Sequence, residues 1–207
     1  MQQSKFNKIH PYLNIGLASI QFVLALYLIA SPFIPNLTLW WQQRSGEIAG
    51  AQYGGSLVSV DSDTSKTAPF TPPATNRLVI PSMNLDEEIS EGSTIRAARE
   101  HPWRRPLSST PEYGGNTVIV GHRWTYGTVR DVFYHMDKMQ VGDRFAVYWK
   151  QVEYTYEVSE IKIVPPSEVS IEAQTDEPTL TLYTCTPLWT SKSRLVVISH
   201  VIGTRTQ

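Results

Sequence analysis

The sequence contains a single cysteine and has no excess of charge of either sign. One cysteine excludes an intramolecular disulfide framework and a zinc site built from several cysteines. The 18 Lys and Arg nearly balance the 19 Asp and Glu, whereas a general nucleic-acid-binding protein carries a basic excess, so we expect no nucleic-acid partner. Hydrophobic residues make up 41% of the 207 residues, which is enough for a folded core and excludes global disorder.

Charged residues are absent between Lys8 and Arg44. Within this gap, residues 13–31 are almost entirely apolar, and as a helix they would span about 28 Å, close to the ~30 Å hydrocarbon core of a bilayer. We therefore predict a transmembrane anchor that contacts lipid and ends at Pro32 and Pro35. A cleaved signal peptide is the alternative, although its apolar core should be only about 7–15 residues long.

The basic residues that precede the predicted span set its orientation. Lys5 and Lys8 place the N-terminus in the cytoplasm by the positive-inside rule, so the rest of the chain lies outside. We predict a single-pass protein of the cell membrane with three parts: a cytoplasmic tip and anchor over 1–41, a flexible extracellular linker over 42–76, and a folded extracellular domain over 77–207.

From residue 77 onward the pattern is mostly that of β-strands separated by turns. About seven or eight short strands and few helices predict an all-β domain, either a closed or nearly closed barrel or, as the structural alternative, a sandwich. Residues 129–139 carry apolar side chains at helical spacing and predict a helix. The segments with strand patterns are 78–80, 88–90, 117–122, 144–149, 152–164, 179–185 and 194–202.

The lone cysteine is the strongest candidate for a reactive group. In an exported domain a single thiol has no partner and is open to oxidation. Cys185 ends the predicted strand 179–185, on the face opposite Leu180 and Leu182, and Pro187 follows it. Strand ends open onto loops, which carry sites, so we favour a functional cysteine over a buried inert one.

A cysteine nucleophile needs a base and a group that holds the developing oxyanion. His122 ends its own predicted strand, as Cys185 does. Arg194 begins the last strand, so a hairpin places it near Cys185, where a guanidinium can hold a carbonyl or an oxyanion. Arg123 is the competing cation. The weaker histidine candidates are His101 in a proline-rich loop, His135 in the helical segment, and His200, which is about 20 Å along the strand from Arg194.

Three segments together resemble the sortase family. Residues 181–187 (TLYTCTP) resemble its TLxTCxP signature, residues 194–197 (RLVV) resemble its eighth strand, and residues 116–123 (NTVIVGHR) resemble the segment that ends in its catalytic histidine. The resemblance covers about residues 77–204 and includes the strand order. Because the three motifs occur in the right order and spacing, the combination is far more specific than any one of them.

The resemblance implies an eight-stranded sortase-type β-barrel and a cofactor-free, membrane-bound cysteine transpeptidase. Its partners are exported proteins with a C-terminal, LPxTG-like sorting signal, and an amine acceptor on a cell-wall precursor or a pilin lysine. By matching positions, Cys185 forms the thioacyl-enzyme, His122 exchanges protons with the two amines, and Arg194 holds the oxyanion. Thr184 is a further candidate for the oxyanion. Trp124 and Trp189 are candidates for lining a peptide groove, with structural packing as the alternative.

This chemistry needs a thiolate and an imidazolium at the same time. Reference pKa values of about 8.5 and about 6.5 leave a little under about 1% of molecules in that form at pH 7, if the groups titrate independently. We therefore expect slow turnover with a neutral-to-basic optimum, and full activity at pH 4 would contradict this.

Three other functions remain open from the sequence. A cysteine L,D-transpeptidase also acts at the cell wall, but its SxGC-like motif is missing around Cys185. A non-enzymatic, membrane-tethered β-domain that binds a cell-surface component accounts for the anchor, yet leaves Cys185, His122 and Arg194 as coincidences. A strict protease would hydrolyse its substrate without diversion by added amines.

Overall fold

The computed structural model describes residues 9–45, 49–53, 70–125 and 129–206. Its internal contacts divide the chain into two compact units, Met1–Gly46 and Glu47–Gln207. The first unit is helical and the second contains every β-strand of the described residues.

The N-terminal unit contains two helices, α1 (Ile9–Ala30) and α2 (Ile34–Ser45), separated by a short 3-10 helix at Ser31–Phe33. Helix α1 ends before Pro32, but Pro35 does not end the helical region, because it lies in the first turn of α2 where its missing N–H is harmless. Among the described residues, no single helix has the length and hydropathy of a membrane span. The segments Asn14–Ala30 and Ile34–Gln42 meet that requirement only together, with a bend of 58° between them.

The second unit is built on one curled, eight-stranded sheet, which confirms the predicted all-β class. The order of the strands in the sheet is β2-β1-β5-β6-β8-β7-β4-β3. All neighbouring strands are antiparallel except β4 and β7, which are parallel. The strands are β1 (Arg77–Ile80), β2 (Leu85–Glu88), β3 (Trp103–Arg104), β4 (Asn116–Val120), β5 (Arg144–Trp149), β6 (Val152–Val164), β7 (Thr179–Thr186) and β8 (Ser193–Arg205).

The two edges of this sheet approach each other at Ser90, two residues after β2. The Ser90 amide donates to the Pro102 carbonyl at 2.8 Å, and the Arg104 amide donates to the Ser90 carbonyl at 3.0 Å. Ser90 forms an isolated parallel bridge with Trp103 of β3. The single sheet therefore curls into a half-barrel whose edges meet at this point, and it is not a sandwich of two sheets.

The main core lies inside the curled sheet and follows the alternation of each strand. Leu180 and Leu182 of β7 point into it and are fully buried. Tyr183 points to the other face, where it packs against Trp103, Val118 and other apolar side chains. The alternation predicted for 179–185 is thus present, and it puts Cys185 on the same outer face as Tyr183.

Short 3-10 helices occupy several of the connections, and they account for two differences from the prediction. Residues 129–139 form successive turns and the 3-10 helix Met136–Lys138, not an α-helix, because their amides bond three residues back and the Phe133 amide bonds to the His122 carbonyl. Strand β3 was not predicted, since it has two residues and lies in a proline-rich stretch. The other 3-10 helices of the second unit are Ala51–Tyr53, Pro81–Met83, Ile95–Ala98, Pro111–Tyr113 and Val169–Glu172.

Residues 42–45 of the predicted linker belong to α2, whereas its described stretches 49–53 and 70–76 contribute side chains that pack on the outer face of β1 and β5. Ala49 and Phe70 are buried in a cluster with Val79 and Tyr148. The rings of Tyr53 and Tyr148 lie 5.0 Å apart. Residues 54–69, the middle of that linker, lie outside the described residues, so its predicted flexibility stays a prediction there.

The close approach of Gly121 to its neighbours generates a prediction about stability. A Cβ at this position would lie 2.7 Å from Val132 and 2.8 Å from Phe133. We expect Gly121→Ala to lower the free energy of unfolding by about 1–3 kcal/mol through overpacking, measured by urea denaturation. Gly203→Ala is the matched control, because its Cβ would meet no atom within 4 Å. Equal unfolding midpoints for the two variants would contradict the prediction.

Candidate active site

The parallel pairing of β4 and β7 brings two chain segments to the same end of the sheet. Their register pairs Asn116 with Thr179 and continues to Val120 with Tyr183. Neighbouring strands lie about 4.8 Å apart, and two more residues along each chain lead to His122 and Cys185. The two residues predicted from separate strand ends therefore leave the sheet side by side.

Antiparallel pairing brings the third predicted residue to the same place. Cys185 of β7 is the direct partner of Arg194 of β8. The Arg194 guanidinium donates through Nη1 to the carbonyls of Ser191 and Ser193, at 3.1 and 3.2 Å. These bonds hold the side chain at the start of β8, as the predicted hairpin required.

All three side chains line one cavity of about 170 Å³. Cys185 is partly exposed there as a free thiol. Of the described histidines of the second unit, only His122 lines this cavity; His101 contacts Glu87 instead. The full lining is Ile95, Ala98, Trp103, Arg105, Val120, Gly121, His122, Tyr183, Thr184, Cys185 and Arg194.

The imidazole of His122 is subject to two opposing effects. Burial lowers the pKa of His122 below its usual value, and the nearby Asp131 carboxylate partly offsets this by raising it. Asp131 accepts a hydrogen bond from Thr125 Oγ1 at 3.0 Å. The sequence analysis missed Asp131, because no strand or motif marks the segment that carries it.

Thr184 makes a structural contact in addition to lining the cavity. Its hydroxyl donates to the carbonyl of Gly121 at 2.8 Å. The hydroxyl proton is therefore directed at the β4 segment, and a part for Thr184 in holding an oxyanion stays a prediction.

Arg123, the competing cation, has different partners from Arg194. Its guanidinium is buried and donates to Thr186 Oγ1 at 2.8 Å. It also pairs with the Asp137 carboxylate, at 3.1 Å. Arg194 lines the cavity and Arg123 does not, so of these two candidates only Arg194 reaches it.

The two candidate groove tryptophans form a pair with each other. Trp124 follows the His122 segment and Trp189 lies in the β7–β8 loop, with ring centroids 4.4 Å apart. Trp189 is 58% exposed, and neither indole belongs to the cavity lining. Their predicted part in peptide binding stays a prediction.

A polar network closes the cavity on the side of the β6–β7 loop. Glu172 of that loop accepts from the Tyr183 hydroxyl at 2.5 Å and from Arg105 Nε at 3.0 Å. The Arg105 guanidinium also stacks over the Trp103 ring, 5.1 Å from its centroid. Arg105 and Tyr183 line the cavity, so Glu172 connects the loop to the cavity wall. Sequence reasoning missed this network because its members come from three separate segments.

Two of the three consecutive acidic residues at 86–88 are paired with cations. Asp86 pairs with Arg77 at 2.6 Å, and Glu87 pairs with Arg130 at 2.5 Å. Within the part of the chain that the structure describes, no three His, Cys, Asp or Glu side chains are grouped to hold a metal ion.

Comparison with known proteins gives one consistent result. Residues 78–202 match the family model described as the sortase domain. Sortase D of Bacillus subtilis is 30% identical over 136 residues, which cover 64% of this chain and 66% of that protein. Sortase SrtE1 of Streptomyces coelicolor is 26% identical over 189 residues, covering 81% of this chain and 52% of that protein.

Solved structures resemble the second unit in the same way. A Clostridium perfringens Sortase D5 transpeptidase superposes with a TM-score of 0.55 at 30% identity, covering 62% of this chain and 79% of that one. The chain spans between about half and two thirds of the length of the two curated relatives, at 52% and 66%.

The proximity of Asp131 to His122 generates a prediction about titration. Asp131→Asn removes the anion while keeping the size of the side chain, so we expect the pKa of His122 to fall further below its usual value. The measurement is an NMR titration of the His122 ring protons. Thr125→Val is the matched control, because it removes the hydrogen bond to Asp131 but keeps the charge. An unchanged or raised His122 pKa in Asp131→Asn would show that the carboxylate does not act on the imidazole.

Proposed function

Since the chain belongs to the sortase family, we propose that it is a cysteine transpeptidase that cleaves an LPxTG-like C-terminal sorting signal and transfers the exported protein to an amine. The acceptor is an amine of a cell-wall precursor or a pilin lysine. The relatives described as sortases and as a transpeptidase support this assignment.

The observation that carries the proposal is the meeting of three chemical groups in one cavity. A thiol, an imidazole and a guanidinium reach it from Cys185, His122 and Arg194. Acyl transfer through a thioester needs a nucleophile, a proton donor and acceptor, and a stabiliser of the oxyanion. These three side chains supply one group for each role.

In the first half of the reaction the Cys185 thiolate attacks the carbonyl carbon of the scissile Thr–Gly bond. A C–S bond forms and the carbonyl oxygen becomes an oxyanion, which the Arg194 guanidinium stabilises by hydrogen bonding. When the oxyanion collapses, the C–N bond breaks and the His122 imidazolium gives its proton to the leaving amine. The product is a thioester between Cys185 and the donor protein.

In the second half an amine attacks the same carbonyl carbon. Neutral His122 accepts a proton from the attacking nitrogen, a new C–N bond forms, and the C–S bond breaks to return the thiolate. The pair therefore ends with the same charges as it began.

The environment of His122 bears on the rate. Burial lowers the pKa of His122, so the imidazolium fraction at neutral pH is smaller than the reference pKa gives. The active form needs the imidazolium together with a thiolate. The smaller imidazolium fraction therefore lowers the fraction of molecules in the active form, which supports slow turnover. The lowered pKa of His122 also moves the pH optimum to a lower pH than the reference pKa values of cysteine and histidine give.

The cavity wall suits an apolar stretch of a peptide donor. Ile95, Ala98, Trp103 and Val120 supply apolar surface beside Cys185. Such walls bind apolar side chains by removing their surface from water, while a few polar groups fix orientation. This composition supports the leucine and proline of an LPxTG-like signal as the residues bound there.

The expected chemistry is tested on the full chain with a labelled LPxTG-like peptide. We expect hydroxylamine to release the peptide's C-terminal fragment, and mass spectrometry to find Cys185 joined to the N-terminal fragment as a thioester. Cys185→Ala should abolish both signals, since no other side chain can form the thioester. An added amine should divert the product from hydrolysis to transfer.

Other results would identify a different function. Peptide binding without release, unchanged in Cys185→Ala, would indicate a binding module. Hydrolysis that no amine diverts would indicate a strict protease.

The proposal includes a membrane anchor with the second unit outside the cell. The described side chains of α1 in 14–30 are mostly apolar and lie exposed around the helix, which supports burial in lipid. A membrane-impermeant maleimide should label Cys185 on intact cells expressing the full chain, and the protein should stay in the membrane after a carbonate wash. Cys185→Ala is the control for labelling. Labelling only after lysis would contradict this orientation.

A further inference from the structure

The backbone ladder between β4 and β7 stops before it reaches the reactive side chains. Its last paired residues are Val120 and Tyr183, and β4 ends there while β7 continues to Thr186. The backbone hydrogen bonds between β4 and β7 therefore do not fix the separation between His122 and Cys185. Other contacts, beyond the end of the ladder, must do so.

Two hydrogen bonds from side chains bracket the pair at this point. On one side, Thr184 Oγ1 donates to the Gly121 carbonyl at 2.8 Å. On the other side, Arg123 Nη1 donates to Thr186 Oγ1, also at 2.8 Å. Gly121 and Arg123 are the neighbours of His122, and the two threonines are the neighbours of Cys185. One bridge thus lies before the reactive pair and one lies after it.

The Arg123 bridge is firmly held. Its side chain is only 7% exposed and pairs through Nη2 with the Asp137 carboxylate at 3.1 Å. Nε donates to the Tyr134 carbonyl at 3.4 Å. A buried cation is costly unless its donors are matched, and a planar guanidinium with three separate acceptors has little freedom to turn. Thr186, which receives the bridge, is itself buried.

We infer that Arg123 is a positioning residue: its buried guanidinium ties the segment after His122 to Thr186 and thereby sets the separation of the imidazole and the thiol. The expected effect of Arg123 on the reaction rate rests on the proposed function. Arg123 is not part of the cavity lining, so it acts through His122 and Cys185 and not through the donor peptide. A misplacement of about 1 Å between reacting groups can cost about 100-fold in rate.

The first experiment needs no substrate. The rate at which iodoacetamide alkylates Cys185 in the full chain is measured against pH. When a thiol and an imidazole are adjacent, they titrate as a coupled pair. The plot of alkylation rate against pH then shows a step at the pH where His122 loses its proton. Thr186→Val removes the acceptor of the bridge with little change in volume, so we expect that step to shrink or shift. Thr179→Val is the matched control, because Thr179 is a buried threonine at the opposite end of the same strand.

The second experiment separates catalysis from binding. With a labelled LPxTG-like peptide and the full chain, we expect Thr186→Val and Arg123→Met to lower kcat by about 10- to 100-fold, with KM within about twofold of the parent. Arg123→Lys keeps the charge but cannot span the same acceptors, so its kcat should fall between the parent and Arg123→Met. The double variant Arg123→Met/Thr186→Val should be no slower than the slower single variant, because both changes break one bridge.

The results distinguish the two proposals. An alkylation profile of Thr186→Val that superimposes on that of the parent overturns the positioning role, even if the parent forms a thioester. A changed profile, in a parent that forms no thioester with any donor, supports the positioning role and removes the proposed function. A loss of activity that appears only in KM, or additive effects in the double variant, also overturns the inference. Near-ultraviolet circular dichroism selects the variants that fold like the parent.

Discussion

The parallel pairing of β4 with β7 is the constraint on which the site depends. Every other pair of neighbouring strands in the sheet is antiparallel, and an antiparallel neighbour would send the chain after Val120 away from Cys185. Because the two strands run in the same direction and in register, His122 and Cys185 leave the sheet at the same edge. The antiparallel hairpin of β7 and β8 then adds Arg194 opposite Cys185. The site needs both kinds of pairing around one central strand.

The features that the sequence predicted best are those with strong local causes. Strands β5 and β6 have the predicted bounds, 144–149 and 152–164, since both are rich in β-branched and aromatic residues and a clear turn lies between them. The alternation of side chains in 179–185 correctly predicted which residues face the core and which lie on the face of Cys185. The prediction that His122 and Arg194 lie near Cys185 used only strand ends and one hairpin, and the geometry brings all three to one cavity.

The features that escaped prediction depend on contacts between distant segments. In 129–139, successive turns pack Phe133 and Met136 into the core. The apolar residues therefore have helical spacing although the segment is not an α-helix. Asp131, Glu172 and the bridge from Arg123 to Thr186 act on residues that the sequence did identify. Their partners lie in other segments, up to 67 residues away for Glu172 and Arg105, and no local pattern reports such a contact.

Ala49, Tyr53 and Phe70 cover the outside of β1 and β5, which bears on where a recombinant fragment should begin. A recombinant fragment that begins at residue 77 would lack this cover and expose Val79 and Tyr148, which are fully or almost fully buried in the intact chain. It would also remove Gln52 and Tyr53, both of which donate to Asp86. The loss of one large apolar side chain from such a cluster costs about 1.5–3 kcal/mol. A soluble fragment that begins before Ala49 keeps this apolar cover and both hydrogen bonds to Asp86.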